Sequence, residues 1–159
     1  MKIIITILSI FFISCNQSND ATFNLDPSKP VEVGIESIYR DNDFHTINVY
    51  MINHQPVSGV QFKIEPDTYF EVDSVFGGRC QTHDFQLHSN SKGTILGFSI
   101  SGKSIPESNS FNKKDNILFS IKAKLVKEVD SSISLSPIIA SSNAKKIDCI
   151  SIPFELVGK

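Results

Sequence analysis

The sequence predicts an all-β domain, a sandwich of two packed sheets, on three observations. Short apolar runs alternate with polar residues at a period of two, as where Val60, Phe62 and Ile64 alternate with Gln61, Lys63 and Glu65. That pattern gives a strand one buried face and one wet face. The runs are separated by clusters of Gly, Pro, Asn, Asp and Ser, residue types that favour turns. No segment carries apolar residues at helical spacing between recognisable caps. Two sheets of such strands bury their Val, Ile and Phe faces against each other. Twelve phenylalanines without a tryptophan suit that core better than they suit a platform for stacking sugars.

At 159 residues the chain is long enough for one domain with a sizeable core. Its 40% hydrophobic and 20% charged residues are ordinary for a globular protein. The formal net charge of −2 argues against a generally basic nucleic-acid binder. The basic pairs Lys113-Lys114 and Lys145-Lys146 read as solvated turns.

The chain opens on Lys2, then an apolar run from Ile3 to Ile13, then Ser14-Cys15. The run is shorter than the ~20 apolar residues a membrane-spanning helix needs, and it reads as an export signal. The end Phe12-Ile13-Ser14-Cys15 resembles the lipobox of bacterial lipoproteins, with phenylalanine in place of the usual leucine. That resemblance implies a signal peptide over 1–14 and a lipidated Cys15 at the mature N-terminus. The other reading is an ordinary signal peptide that leaves Cys15 a free thiol. Residues 15–28 then form a polar tether, and 29–159 the sandwich domain. Removing the signal deletes Lys2 and no acid, so the mature protein is one unit more acidic.

Export places the domain in an oxidising compartment. Cys80 and Cys149 then form an even pair. A disulfide between them would close a loop of about 70 residues and contribute about 4 kcal/mol by the chain-entropy model. Otherwise Cys149 is a small apolar residue on a strand and Cys80 a loop thiol.

The strands follow in order. Val31, Val33 and Ile35 alternate with Glu32 and Gly34. Arg40-Asp41-Asn42-Asp43 makes a turn to a central strand, Ile47 to Ile52. Pro56 and Gly59 set a bend before Val60 to Ile64, so that Ile47–Ile64 reads as a hairpin-like strand pair. Tyr69 to Val75 follows. Gly77-Gly78 opens a loop holding Arg79, Cys80 and His83. Asp84–His88 and Thr94–Ile100 flank the turn Asn90-Ser91-Lys92-Gly93. Ser101 to Asp115 is the longest irregular stretch, and Asn116–Leu125 the longest strand. Ile133 and Leu135 mark a short strand, and Ile147–Ile152 the last, which Phe154 and Leu156 extend.

No catalytic arrangement is visible: no nucleophile elbow, no phosphate loop, and no His or Cys pair at metal-ligand spacing. His45, His54, His83 and His88 fall in separate turns and strands. Asp41, Asn42 and Asp43 offer oxygen ligands to calcium, but too few without help from elsewhere. They read as a solvated turn, and no cofactor is expected. Asp67, Glu71 and Asp73 read as the wet face of a strand.

Several of these stretches together resemble a cohesin-like domain: Val49 to Asn53, Pro56 to Phe62, Ile95 to Ser99, Gly102, Ile105-Pro106 and Ile117-Leu118. The resemblance spans about Val31 to Ser141. It implies a jelly-roll sandwich of about nine strands, related to several carbohydrate-binding modules. It also implies a role in docking a dockerin-bearing secreted protein. The matching motifs occupy core and turn positions, so no binding residue is carried over from them.

Three non-enzymatic readings follow. The first is a membrane-anchored protein-binding module, contacting its partner through residues near Gln61, Lys63, Glu71 and Asp73. The second is a carbohydrate-binding module that grips a polysaccharide with a flat row of aromatics drawn from Tyr50, Tyr69 and Phe76. The third is a structural envelope lipoprotein without a discrete ligand. All three place the protein in the cell envelope, at the outer membrane or cell surface, held by a lipid anchor and away from nucleic acid.

Overall fold

The computed structural model describes residues 23–127 and 132–156. The leader and Cys15 lie outside the described residues. In chain order the elements are β1 (Val31–Asp41), β2 (Phe44–Ile52), β3 (Gly59–Glu65), β4 (Phe70–Phe76), a short helix α1 (Gly78–Thr82), β5 (Gln86–Ser89) and β6 (Thr94–Phe98). A 3-10 turn (Lys113–Asn116), β7 (Ile117–Leu125), β8 (Ser132–Ala140), β9 (Lys146–Ile147), β10 (Cys149–Ile152) and β11 (Phe154–Glu155) complete the chain. The all-β sandwich read from the alternation is the observed architecture. Its count exceeds nine because β9 and β11 are two-residue strands.

The first sheet has the order β10-β1-β2-β7-β4 and the second β11-β8-β3-β6-β5, with β9 paired to β8. β10 runs parallel to β1, and the other pairings are antiparallel. Between the sheets, Val33, Ile47, Val49, Phe119 and Ile121 face Phe62, Ile64, Ile95, Leu135 and Ile139, all of them buried. Phe62 of the second sheet meets Phe119 of the first edge to face, with centroids 5.3 Å apart. Each such side chain contributes about 1.5–3 kcal/mol of burial.

The stretch Ile47–Ile64 is not a hairpin. β2 lies in the first sheet and β3 in the second. Pro56 and Gly59 carry the chain from one layer to the other, while Val57 exchanges backbone hydrogen bonds with Ile105 at 2.9 and 2.7 Å. Alternation alone cannot distinguish a hairpin from a crossover, because both put the same faces inward. β8 is also longer than expected, running from Ser132 to Ala140 through Pro137. On its side away from β3, β8 is paired only at its ends, by β11 at Ser132–Ile133 and by β9 at Ile139–Ala140. The N–H that Pro137 lacks falls in the unpaired gap, where its absence costs no ladder bond. The longest strand is β1, at 11 residues, not β7.

The loop expected after Gly77-Gly78 is the helix α1. Gly78 has φ of +60°, and a Cβ there would lie 2.4 Å from the Leu118 carbonyl oxygen, so only glycine lets α1 seat on β7. The next residue, Arg79, clamps this end of the sandwich. Its Nη1 donates to the Met51 carbonyl at 3.0 Å and to Asn53 Oδ1 at 2.9 Å, and its Nη2 donates to the Pro106 carbonyl at 2.6 Å. One side chain thereby ties α1, the end of β2 and the long 99–112 connection together.

At the N-terminal side, part of the segment read as tether packs on the domain. Phe23 stacks on His54 with centroids 5.4 Å apart and meets Phe111 edge to face at 4.5 Å. The Asp26 N–H donates to His54 Nδ1 at 3.2 Å.

Candidate functional site

The second sheet turns an unusual surface outward. Inward-facing Val60, Phe62 and Ile64 send Gln61 and Lys63 to the outside of β3. The register then sets Ile138 of β8, Gln61 of β3, Leu96 of β6 and His88 of β5 in one row across four strands. The adjacent row is Ala140, Gly59, Phe98 and Gln86. Ile138 is 49% exposed and Leu96 42%. His88 lies nearly parallel to Phe98, with centroids 5.6 Å apart. Just past β6, a turn closed by the Lys103 N–H to Ser99 Oγ (3.2 Å) holds Ile100 out at 73% exposure. Apolar side chains thus run across an open, flat face and onto the loop beside it, a composition that marks contact surfaces.

Charges sit at the margins of that face and are internally paired. Lys63 Nζ lies 3.1 Å from Asp67 and 3.2 Å from Glu65. The hydrogen bonds to Asp67 and then Glu65 raise its pKa above the ordinary lysine value. Lys103 pairs with Asp84, and that hydrogen bond and charge lower the Asp84 pKa. The middle of the face is left to Ile138, Gln61, Leu96 and His88.

The outer face of the first sheet combines polar pairs with the exposed side chains of Tyr39, Phe76, Ile150 and Ile152, which stand on separate rows. Asn48, Ser120 and Ser37 form a chain of hydrogen bonds, with Ser120 Oγ donating to Asn48 Oδ1 at 2.7 Å and Asn48 Nδ2 to Ser37 Oγ at 3.0 Å. Lys122 sits over the Phe44 ring at 4.3 Å and 3.9 Å from Asp73. Glu71 stands opposite Lys124 on the neighbouring strand.

The six residues read as a binding surface therefore do not share one. Gln61 and Lys63 lie on the second sheet's outer face, whereas Glu71 and Asp73 lie on β4 of the first sheet, on the opposite side of the molecule. Tyr50 is buried. It lies flat over Gly34, where a Cβ would come within 2.8 Å of its ring. Its hydroxyl donates to Glu32 at 2.7 Å. Burial, and then the Glu32 hydrogen bond, push its pKa above the ordinary tyrosine value. Tyr69 is half-buried against the core, with Lys127 Nζ 5.5 Å from its ring centroid. Of the three aromatics proposed as a sugar platform, only Phe76 is well exposed, at 48%.

Sequence reading missed Ile138, Leu96, Phe98 and Ile100 as surface residues. A signal was present: Ile95-Leu96 and Ile138-Ile139 are adjacent apolar pairs on alternating strands, so one member of each pair must face out.

The expected Cys80–Cys149 disulfide is not formed, and both residues are free thiols. Cys80 is buried on α1, which packs on β7, and Cys149 opens β10 at the far edge of the same sheet. β1 and β2 intervene, at about 4.8 Å per strand, and α1 lies beyond β7, so the separation exceeds the ~7 Å limit for bridging Cα atoms. Burial pushes the Cys80 thiol up to about 12, against the opposing charge of Arg79. Asp41-Asn42-Asp43 forms the β1–β2 turn, with Asn42 Nδ2 donating to Asp41 Oδ1 at 3.1 Å. Among the described residues no group of three His, Cys, Asp or Glu is placed to hold a metal ion.

This sandwich, with its order β8-β3-β6-β5 facing β10-β1-β2-β7-β4, has a cohesin-like fold, as the resemblance in the β2–β3 and β6 motifs implies. Among solved structures the chain is similar to a chain of the complex between a CaDoc0917 variant and CaCohA2, at 16% identity, covering 80% of this chain and 99% of that one, with a TM-score of 0.53. It is equally similar to a non-cellulosomal cohesin from the hyperthermophilic archaeon Archaeoglobus fulgidus, at 16% identity, covering 82% and 93%, with a TM-score of 0.53. No family model and no curated protein matches the chain.

Proposed function

We propose that this protein is a non-catalytic protein-binding module of the cell envelope, docking a secreted partner through the outer face of its second sheet. The observation that carries this reading is the row Ile138–Gln61–Leu96–His88, continued by Phe98 and Ile100. Buried interface centres are built from apolar and aromatic anchors ringed by polar groups, and this face has that composition. The cohesin-like fold supports a protein partner in particular, since one neighbour was solved as a complex, a CaDoc0917 variant with CaCohA2. By that analogy the partner carries a dockerin-type module. A fold analogy cannot assign a ligand by itself, so the exposed row is the stronger support.

The lipid anchor belongs to the same reading. The leader over 1–14 and the Ser14-Cys15 junction support acylation of Cys15, which would hold the domain at the membrane with the docking face free. Labelling with a fatty-acid analogue should mark the wild-type protein and not Cys15→Ala. Labelling of both would remove the anchor.

The docking reading is tested by capturing secreted proteins of the same organism with three baits: wild type, Leu96→Lys/Ile138→Lys, and Lys122→Gln/Lys124→Gln. One partner held by the first and third baits and lost by the second is the expected outcome. A partner held equally by all three, or self-association of the wild type abolished by Leu96→Lys/Ile138→Lys, would replace this reading.

A further inference from the structure

One end of the sandwich, just past Ala140 of the outward rows, holds a polar cavity of about 410 Å³. Three segments line it: the arm leading into β1 contributes Lys29, the β2–β3 connection Gln55, and the β8–β9 turn with the start of β9 Ser142, Lys145 and Lys146. The only carboxylate in the lining is Asp148. Among the described residues none of the three lysines has a carboxylate within ion-pair distance. The nearby Asp26 accepts from the Ser28 N–H at 3.1 Å and the Ser28 hydroxyl at 2.6 Å, and the charge of Lys29 adds to these in lowering its pKa. In a chain whose formal charge is −2, this is a local reversal of sign.

The turn that carries two of the lysines is well defined. The Ser141 N–H donates to the Lys145 carbonyl at 2.9 Å, the Ser141 hydroxyl to the same oxygen at 3.1 Å, and the Ala144 N–H to the Ser141 carbonyl at 2.9 Å. Ala144 takes a left-handed φ of +58° to close it. Lys145 and Lys146 are exposed, as their sequence suggests, and together with Lys29 they line this concavity.

We infer that this cavity binds a phosphate-bearing anion. Three lysines against Asp148 in the lining and Asp26 beside it still leave a positive excess that an anion neutralises, and lysine is a standard point-charge partner for phosphate. Ser142 and Gln55 add neutral donors for the remaining oxygens. No aromatic residue lines the cavity, so recognition rests on the phosphate and not on a stacked base or sugar ring. Two sources carry that chemistry: free phosphate, and the headgroup of an anionic lipid beneath a membrane-held domain. The amines are exposed, so binding weakens as salt shortens the screening length to ~8 Å and below.

The test uses the full chain in detergent at low ionic strength, with backbone amide shifts followed by NMR. Inorganic phosphate and a short-chain phosphatidylglycerol are titrated in separate arms, against wild type, Lys145→Gln/Lys146→Gln and the control Lys92→Gln, remote from the cavity. Saturable shifts across Ser141–Lys146 and at Lys29 are expected, weakened about tenfold in the double variant and unchanged in Lys92→Gln. Equal affinity for both ligands assigns the free anion, and a preference for phosphatidylglycerol assigns the lipid headgroup. Absence of saturable shifts in both arms, or an equal loss in Lys92→Gln, overturns the site.

Discussion

The two outer faces of this sandwich come from the same rule and end with different surfaces. On the first sheet, alternation sends Asn48, Ser120, Lys122, Lys124 and Glu71 outward; Ser120 and Asn48 hydrogen-bond, Lys122 lies 3.9 Å from Asp73, and Glu71 stands opposite Lys124. On the second sheet the same alternation sends Ile138, Leu96 and Phe98 outward, with no part of the described chain laid over the exposed Ile138 and Leu96. The first sheet's outer face also exposes Tyr39, Phe76, Ile150 and Ile152, but on separate rows and not in one row across it. A face that exposes apolar side chains around one glutamine gains by being covered. The docking face proposed above is set on the second sheet by the continuity of its row, Ile138–Gln61–Leu96–His88.

The comparison breaks most severely if the layer between the faces is damaged. Phe62→Ala removes the ring that meets Phe119 and should cost about 3–5 kcal/mol in denaturant unfolding, disturbing both faces at once. Arg79→Met should cost about 3 kcal/mol, because the Met51 and Pro106 carbonyls and Asn53 Oδ1 lose a half-buried charged donor. A loss below about 1 kcal/mol would mean that the clamp at this end is replaceable.

The faces themselves should separate under substitution. Leu96→Lys should weaken partner binding about 100-fold, or about 2.7 kcal/mol, with thermal unfolding nearly unchanged. Lys124→Gln on the other face should shift stability by no more than about 0.5 kcal/mol and leave binding alone. The smallest effect is a pH dependence at His45, on the inner side of β2, whose Nδ1 is buried without a partner. Burial, and then the Arg40 charge, lower its pKa from the ordinary value of 6.5. The unfolded chain therefore takes up the proton more readily than the fold does. This contribution to stability is present above about pH 6.5 and is lost as pH falls below it. His45→Phe should flatten that slope in unfolding measured across pH.

Most of the scaffold was legible in the sequence because period-two alternation reports directly which side chains go inward. Val31, Val33, Val60, Phe62, Ile121 and Ala123 are buried as that pattern requires. Alternation carries no information about which strand lies beside which, and so the β2–β3 crossover read as a hairpin. The same gap put Gln61 and Lys63 on one surface with Glu71 and Asp73, although the two pairs occupy different sheets. Tyr50 read as exposed because its position on the outer side of β2 is clear from parity. Its burial depends on Gly34 across the strand pair and on Lys113, whose Nζ lies 4.8 Å from its ring centroid. The helix at Gly78–Thr82 is too short for a helical period to register, and it is held by contacts with β7 that are remote in sequence. The apolar row was hidden for a similar reason. Ile138 and Leu96 look like core residues until register places them on the same outward row.

The most direct measurement is the affinity of one captured partner for wild type, Leu96→Lys/Ile138→Lys and Lys122→Gln/Lys124→Gln, each shown to be folded by its thermal transition. The account predicts a loss of at least about 100-fold for the second-sheet variant and less than about threefold for the first-sheet variant. Equal losses on the two faces, or a loss confined to the first sheet, would contradict it.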